Sequence, residues 1–354
     1  MTKSPTDLPE TSRLAPLSAP ARSGEVATND STPVIHLRPH AKPAVRTTGR
    51  KQPPARITSL DEIEALPLKE MRVTIDRGAG ILWCRFAFAG RPSFTPALLD
   101  DISRVQSAVV DLHAGAGRSP ETGPLRYMVW ASDMPGVWNL GGDLRYFAER
   151  IRRRDRDGLL TYAHAVVGEG YRNAVNLNLP IVTVSLIQGD ALGGGFEAAL
   201  SSNLLVAEKG SKFGLPEVLF NLFPGMGAYS FLARRISAAY AERLIFSGRI
   251  HTAEELHDVG VIDVLTEPGK GVEGFLDHVD RNRDRFNAHR AIYRARQIYH
   301  PISRDEMLDI ATMWVDTALT LSERDLAKME RLAAAQDKRR ARAAAAGLVS
   351  PLSA

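Results

Sequence analysis

The stretch Ile187-Gln188-Gly189-Asp190-Ala191-Leu192-Gly193-Gly194-Gly195-Phe196-Glu197-Ala198-Ala199-Leu200 decides how this chain is read. An apolar, strand-like run over 181–187 enters it behind Pro180, and a helix-forming run leaves it. Three adjacent glycines at a helix start are costly in backbone entropy, so they must supply something that a side chain would block. N–H groups in the first helical turn have no intrahelical acceptor, and without Cβ atoms they can approach a ligand oxygen closely. That oxygen belongs either to a phosphate or to a carbonyl that becomes an enolate. No Lys or Ser/Thr follows the glycines as a phosphate-binding loop requires, and the spacing is not that of the dinucleotide fingerprint, so a phosphate cradle is disfavoured. Glu197 stands one turn further on among apolar neighbours. It is either a buried carboxylate beside the bound group or an ordinary surface glutamate.

Two more segments carry the same kind of signal. In Phe213-Gly214-Leu215-Pro216-Glu217-Val218-Leu219-Phe220 a carboxylate stands directly after proline inside an apolar run. Pro-Glu is also an ordinary helix opening, with Pro in the first turn and Glu favoured by the dipole, so alone it proves nothing. Asn221-Leu222-Phe223-Pro224-Gly225-Met226-Gly227 then breaks any long helix and places a flexible turn near the carboxylate. Upstream, Asn139-Leu140-Gly141-Gly142-Asp143-Leu144 follows the apolar run 125–131 and opens a helix, repeating the order strand, glycine, helix. Two glycine N–H donors converging from separate strand ends would form an oxyanion hole, and two nearby carboxylates would move protons beside the polarised carbonyl. The plain alternative is that both glycine clusters are tight turns.

Further out, residues 71–76 and 81–88 alternate and are separated by Arg77-Gly78-Ala79-Gly80, which predicts a β-hairpin. A helix is expected over 97–109, then a Gly/Pro-containing loop, a strand over 125–131 and a loop over 133–142. A helical stretch follows from 144 to about 178, and its basic run 150–156, interrupted by Asp155, reads as a solvated helix face rather than a nucleic-acid patch. Strand-like 204–207 comes next, and Thr252-Ala253-Glu254-Glu255 is a capping box that opens a later helix. Strands alternating with helices predict an α/β core with mainly parallel strands. Beyond about residue 277 the pattern is helical with many i, i+4 charges.

Nine of the 21 prolines fall in the first 56 residues, which show neither helical nor strand periodicity and read as a disordered tail. They lack the apolar core of a secretory signal, and Pro5, Pro9, Pro16 and Pro20 would break the helix of a transit peptide. The net charge of +4 comes from 45 basic against 41 acidic residues that interleave, a balance that argues against a dedicated nucleic-acid binder. Cys84 is the single cysteine, so no intramolecular disulfide and no cysteine-built zinc site can form, which fits a reducing, cytoplasmic compartment. No apolar run approaches the length of a membrane-spanning helix.

These residues resemble the crotonase (enoyl-CoA hydratase/isomerase) superfamily. Its marks stand here as Gly141-Gly142-Asp143-Leu144, Gly193-Gly194-Gly195-Phe196-Glu197, and Pro216-Glu217 with Pro224-Gly225, and the likeness runs over roughly residues 70 to 270. Within the superfamily the sequence is most similar to the bacterial synthases of diffusible signal factors (DSF), cis-2-unsaturated fatty acids used in quorum sensing. Val137-Trp138-Asn139-Leu140-Gly141-Gly142-Asp143-Leu144, the run from Gln188 to Leu200, the run from Gly214 to Phe231 and Trp314-Val315-Asp316-Thr317-Ala318 carry that finer likeness. Asn221 and Ala228-Tyr229-Ser230 stand where general hydratases usually have Gly and a Gly-Gly-Thr-like turn, which lowers the odds of ordinary β-oxidation.

The resemblance implies a spiral ββα core over 57–277, after the tail at 1–56, with a C-terminal helical region at 278–354 covering an acyl pocket and an oligomer interface. It implies that the N–H groups of Gly142 and Gly194 form the oxyanion hole and that Glu197 and Glu217 are the acid/base pair. Leu192, Met226, Trp314 and Leu332 would line the acyl pocket, Met226 and Leu332 having core packing as their alternative. No cofactor or metal is expected. The implied substrate is a 3-hydroxyacyl chain on acyl carrier protein or coenzyme A, dehydrated and then released as free acid by hydrolysis. The implied partners are further copies of the chain, as a trimer or dimer of trimers, and a sensor kinase's receiver domain. The rival readings are an enoyl-CoA hydratase/isomerase and a catalytically idle fold that binds RNA or a regulator.

Overall fold

A computed structural model describes residues 56–115 and 124–345. The expected tail therefore lies outside the described residues as far as residue 55, as does most of the Gly/Pro-containing loop. Helix α1 (Leu60–Glu64) leads into the predicted hairpin, β1 (Met71–Asp76) and β2 (Ile81–Phe86). The two pair antiparallel from Met71 opposite Phe86 to Asp76 opposite Ile81. Helix α2 (Pro96–Gly115) starts on a proline, whose missing N–H costs nothing there, and buries Leu98, Leu99, Ile102, Val105, Gln106, Val109 and Leu112 along one face.

The next elements are β3 (Tyr127–Ser132), β4 (Gly136–Asn139), α3 (Leu144–Arg152), α4 (Arg156–Ala174), β5 (Val182–Ile187), β6 (Gly189–Leu192), α5 (Gly194–Leu200), β7 (Leu204–Glu208) and β8 (Lys212–Gly214). A short 3₁₀ segment, Pro216–Phe220, precedes α6 (Ala228–Arg235), α7 (Ala238–Ser247), β9 (Ile250–Thr252), α8 (Ala253–Asp258) and β10 (Val264–Thr266). The larger sheet runs β1-β2-β3-β5-β7-β10 and is parallel from β2 onward. The smaller one runs β4-β6-β8-β9. Each central strand of the large sheet hands the chain to a short strand of the small sheet and then to a helix: β3 to β4, β5 to β6, β7 to β8. This is the ββα spiral expected from the resemblance, and all six residues of β5 are buried, as a strand covered on both faces requires.

Two expectations are corrected. The loop expected over 133–142 contains β4, and β6 and β8 occupy stretches whose glycines had no strand signal. These strands are three or four residues long and their partners lie roughly twenty to fifty positions away, as for Ala191 opposite Phe213 and Val137 opposite Asp190. Gly189 is needed where β4 and β6 pass: a Cβ there would lie 2.2 Å from the Gly136 carbonyl carbon. The single helix expected over 144–178 is two, because Arg154 takes a left-handed φ of 51° and Asp155 then caps α4 by accepting from the Gly158 N–H.

The C-terminal helices are α9 (Gly271–Arg281), α10 (Phe286–Tyr299), α11 (Arg304–Ala318) and α12 (Glu323–Ala345). Helix α11 packs on α4, and α12 on α3. The basic run at the α3–α4 junction is not an open patch: Arg152 meets Glu323 and Glu330, Arg156 meets Asp316, and Arg153 meets Glu149. Among the described residues no helix is long and apolar enough to cross a membrane, and no cluster of three metal-ligating side chains occurs. Cys84 is wholly buried, and burial pushes its thiol far up.

Candidate active site

The three glycines at the start of α5 each have a different physical reason. Gly193 has φ 54° and ψ −130°, a conformation closed to L-residues, and a Cβ on it would stand 2.9 Å from Glu217 Oε1. A Cβ on Gly194 would lie 3.4 Å from Gly141 Cα and 3.5 Å from the Gly142 nitrogen. On Gly195 it would drive to within 2.1 Å of the Asn139 carbonyl oxygen. The end of β4 and the start of α5 therefore pass backbone against backbone, which sets the Gly142 nitrogen close to Gly194. As the first residue of α5, Gly194 has no carbonyl one turn back to take its N–H. Among the described residues neither N–H is taken by a turn, cap or loop carbonyl. The Gly141 N–H is held by Asn139 Oδ1 at 2.7 Å, and Asp143 caps α3, so Gly142 is fixed from both sides.

Glu197 is 2% exposed. Its Oε1 accepts the Met226 N–H at 2.8 Å and the Ala228 N–H at 3.0 Å. Those donors come from the turn after Pro224-Gly225, which needs its glycine because a Cβ on Gly225 would strike the Trp314 side chain at 2.3 Å. Burial pushes the Glu197 carboxyl up to about 7, against the pull of the two backbone N–H groups, which favour the anion. Glu217, on the 3₁₀ segment, is also buried, and its Oε2 has no hydrogen-bond partner. Burial and then the nearby Glu197 charge hold its carboxyl well above the ordinary range. Each carboxyl therefore holds its proton more readily than an ordinary glutamate does.

Gly142, Gly194, Glu197, Glu217, Met226 and Trp314 line one cavity with about 490 Å³ of space not filled by atoms, part of it open to solvent. Leu192 and Leu332 do not line it. Leu192 faces Val137 and Leu140 in a small separate cluster, and Leu332 is half-buried against the main core. Phe147, Phe220 and Met329 do line it and were not anticipated. Phe147 stacks edge-on to Trp314 at 5.1 Å, closing the wall between α3 and α11. Nothing in an apolar helical stripe marks which member faces a cavity rather than solid core. The arrangement can polarise a carbonyl oxygen with two backbone donors and move protons on the adjacent carbons with a carboxylate and a carboxylic acid.

Residues 122–273 match the enoyl-CoA hydratase/isomerase family. The chain is 29% identical over 239 residues to the mitochondrial methylglutaconyl-CoA hydratase of Rattus norvegicus, a match spanning 67% of this chain and 69% of that protein. It is 34% identical over 148 residues to the fatty acid oxidation complex subunit alpha of Pseudomonas syringae pv. tomato, where the match covers 41% of this chain but only 20% of the relative. Among solved structures, the enoyl-CoA hydratase from Bacillus halodurans superposes with a TM-score of 0.59 at 18% identity, over 74% of this chain and 100% of that one.

Proposed function

We propose that this chain, a crotonase-like α/β protein with a hydratase/isomerase segment at its centre, is an acyl-thioester dehydratase and thioesterase that makes a cis-2-unsaturated fatty acid signal. The observation that carries the reading is the convergence, in one cavity, of two glycine N–H donors with two buried carboxylates whose proton affinities are set apart. The thioester oxygen accepts from Gly142 and Gly194, and the charge that develops on it is stabilised there; one such donor is worth about 2.7 to 4 kcal/mol of barrier. Glu197, ionised, takes the C2 proton. Glu217, neutral, protonates the C3 hydroxyl, the C3–O bond breaks, and water leaves with the C2=C3 bond formed. Water activated in the same site then adds to the thioester carbonyl and the thiol departs.

The DSF likeness of residues 137–144, 188–200 and 214–231 supports the signal-forming product. Carrier protein as the thiol, association into trimers, a receiver-domain regulator and cover of the acyl pocket by the C-terminal helices belong to the same reading. The test is incubation with 3-hydroxydodecanoyl carrier protein and mass spectrometry of the products. Free cis-2 acid is expected; trans-2 thioester alone, or no product, rejects the assignment. A second reading, hydration or isomerisation of an enoyl-CoA, is favoured by the hydratase relatives and uses the same residues in the reverse sense. Replacing carrier protein by coenzyme A in that assay separates the two. An idle RNA-binding fold is less well supported, since Arg150, Arg152, Arg153 and Arg156 are engaged with carboxylates and both glutamates are in place.

A further inference from the structure

Behind Glu197 lies a second chamber that shares Gly194, Glu197 and Met226 with the cavity just described and is bounded by α2, α4 and α5. It has about 520 Å³ of space not filled by atoms, part of it open to solvent. Its walls are mainly apolar, with Phe86, Trp130 and Trp138 prominent, and polar groups gather where α2 meets α4. Two of these are satisfied: Asn173 accepts from the Trp130 indole N–H and donates to Ser201 and Ser202, and Ser201 donates to the Ala198 carbonyl.

Gln106 is not satisfied. It is 1% exposed, on the buried face of α2, and its Nε2 donates to the Glu169 carbonyl oxygen at 3.1 Å. A carbonyl only accepts, so this bond fixes which way the amide points. The amide oxygen, Oε1, is buried with no partner. An empty acceptor in an apolar chamber is costly, and it is filled only by something that donates a hydrogen bond.

We propose that the acyl chain of the thioester continues past the cavity under the C-terminal helices into this chamber, and that Gln106 is a specificity-determining residue, accepting a hydrogen bond from a hydroxyl carried at the far end of that chain. The proposal rests on the acyl-thioester reading. The chamber begins where that reading holds the carbonyl, beside Gly194 and Glu197, so what enters it is the chain beyond the reacting carbons. Its aromatic walls suit methylenes and would strand the amides of a pantetheine arm. A methyl-ended chain that reached Gln106 would bury Oε1 against carbon; a hydroxyl-ended chain of the same length would pair it.

The test uses the full chain and uncleavable pantetheine thioethers, which carry the arm common to coenzyme A and carrier protein. Matched pairs of equal length, ending in methyl or in hydroxymethyl, are titrated by calorimetry over a series of lengths. At the length that reaches Gln106 the hydroxyl-ended member binds about tenfold more tightly, and shorter pairs show no preference. Gln106→Leu and Gln106→Met each remove or reverse that preference. Equal binding at every length in the unaltered protein, a preference that survives in both variants, or no binding of any member overturns the proposal. Turnover of the matching 3-hydroxyacyl thioesters tests the underlying reading separately: turnover without the preference removes the role of Gln106 alone, and the preference without turnover removes the catalytic reading alone.

Discussion

Glu197 and Glu217 share one cavity, yet the protein holds them in opposite ways. Glu197 sits in a regular helix and its Oε1 takes two backbone N–H groups from the turn after Gly225. Glu217 sits on a five-residue 3₁₀ segment, with one oxygen near Gly193 and the other unpartnered. Burial raises both, the N–H donors draw Glu197 back to about 7, and its charge drives Glu217 further up. The two donors on Glu197 and the Glu197 charge felt by Glu217 thus set two identical side chains apart, and the proposed reaction would use one as base and the other as acid.

The largest expected effect comes from removing either group. Glu197→Gln and Glu217→Gln should each lower kcat for dehydration by about 10²- to 10⁴-fold, the usual worth of a general base or acid. The pH profile sharpens the contrast. In the unaltered enzyme the rate should rise as Glu197 ionises near pH 7 and fall again at higher pH as Glu217 loses its proton. Residual activity in Glu217→Gln should keep the rise and lose the fall. If it keeps the fall and loses the rise, the two roles are reversed.

Gly193 joins the two regions, so Gly193→Ala should cost about 10²- to 10³-fold in kcat through the displaced donor turn and Glu217, the size seen for loss of an oxyanion donor. Gly210→Ala is the control. Gly210 also has a positive φ, 81°, but a Cβ there meets nothing within 4 Å. Its variant should lose stability while kcat stays unchanged; a matching loss of kcat would mean that strain, not the site, causes the effect of Gly193→Ala.

The same contrast has a stability signature. A carboxyl whose folded pKa exceeds its unfolded value binds more protons in the folded state, so its contribution is fully present below the unfolded pKa and is lost as pH rises through the folded one. For Glu197 that window runs from the ordinary value of 4.5 to about 7, and the loss is on the order of 3 kcal/mol. Glu217 extends the loss to higher pH. Urea unfolding of the unaltered protein and of the Glu197→Gln, Glu217→Gln double variant should therefore diverge with rising pH, the variant becoming the more stable. A constant difference across that range would show that the carboxyls titrate normally.

What was legible in the sequence follows the same physics. The hairpin at 71–86, the buried strand at 182–187 and the capping box at Thr252 carry their signals in adjacent residues, and each stands where it was expected. Strands β4, β6 and β8 are too short for periodicity to register and exist only because distant partners pair with them. The glycines at the start of α5 stand out because their backbone cost demands a reason, whereas Glu197 and Glu217 each have an ordinary alternative and are singled out only together with the glycines and the family resemblance. Leu192, Leu332, Phe147 and Phe220 were not separable, since an apolar residue has the same pattern whether it faces a void or a neighbour. Gln106 is a polar side chain within an apolar helical face, a signal present in the sequence but one that gains meaning only from the chamber beside it.

The smallest expected effect asks what holds the Glu217 segment itself. The 3₁₀ turn ends at Asn221, left-handed at φ 62° and ψ 32°, with its N–H on the Val218 carbonyl and its side chain near enough to Asp325 of α12 to help hold that carboxyl below its ordinary range. Asparagine tolerates this conformation, and glycine adopts it freely. Asn221→Gly keeps the turn and loses this contact, and the two changes should offset to within about 1 kcal/mol of stability, the net worth of one hydrogen bond. Asn221→Ala loses the contact and also strains the turn by about 1–2 kcal/mol. If the turn alone places Glu217, Asn221→Gly keeps kcat within a factor of two while Asn221→Ala lowers it. Equal losses of kcat in both variants would instead make the contact with α12 the feature that places Glu217, so that the helical region governs a carboxyl whose Oε2 the core leaves without a partner.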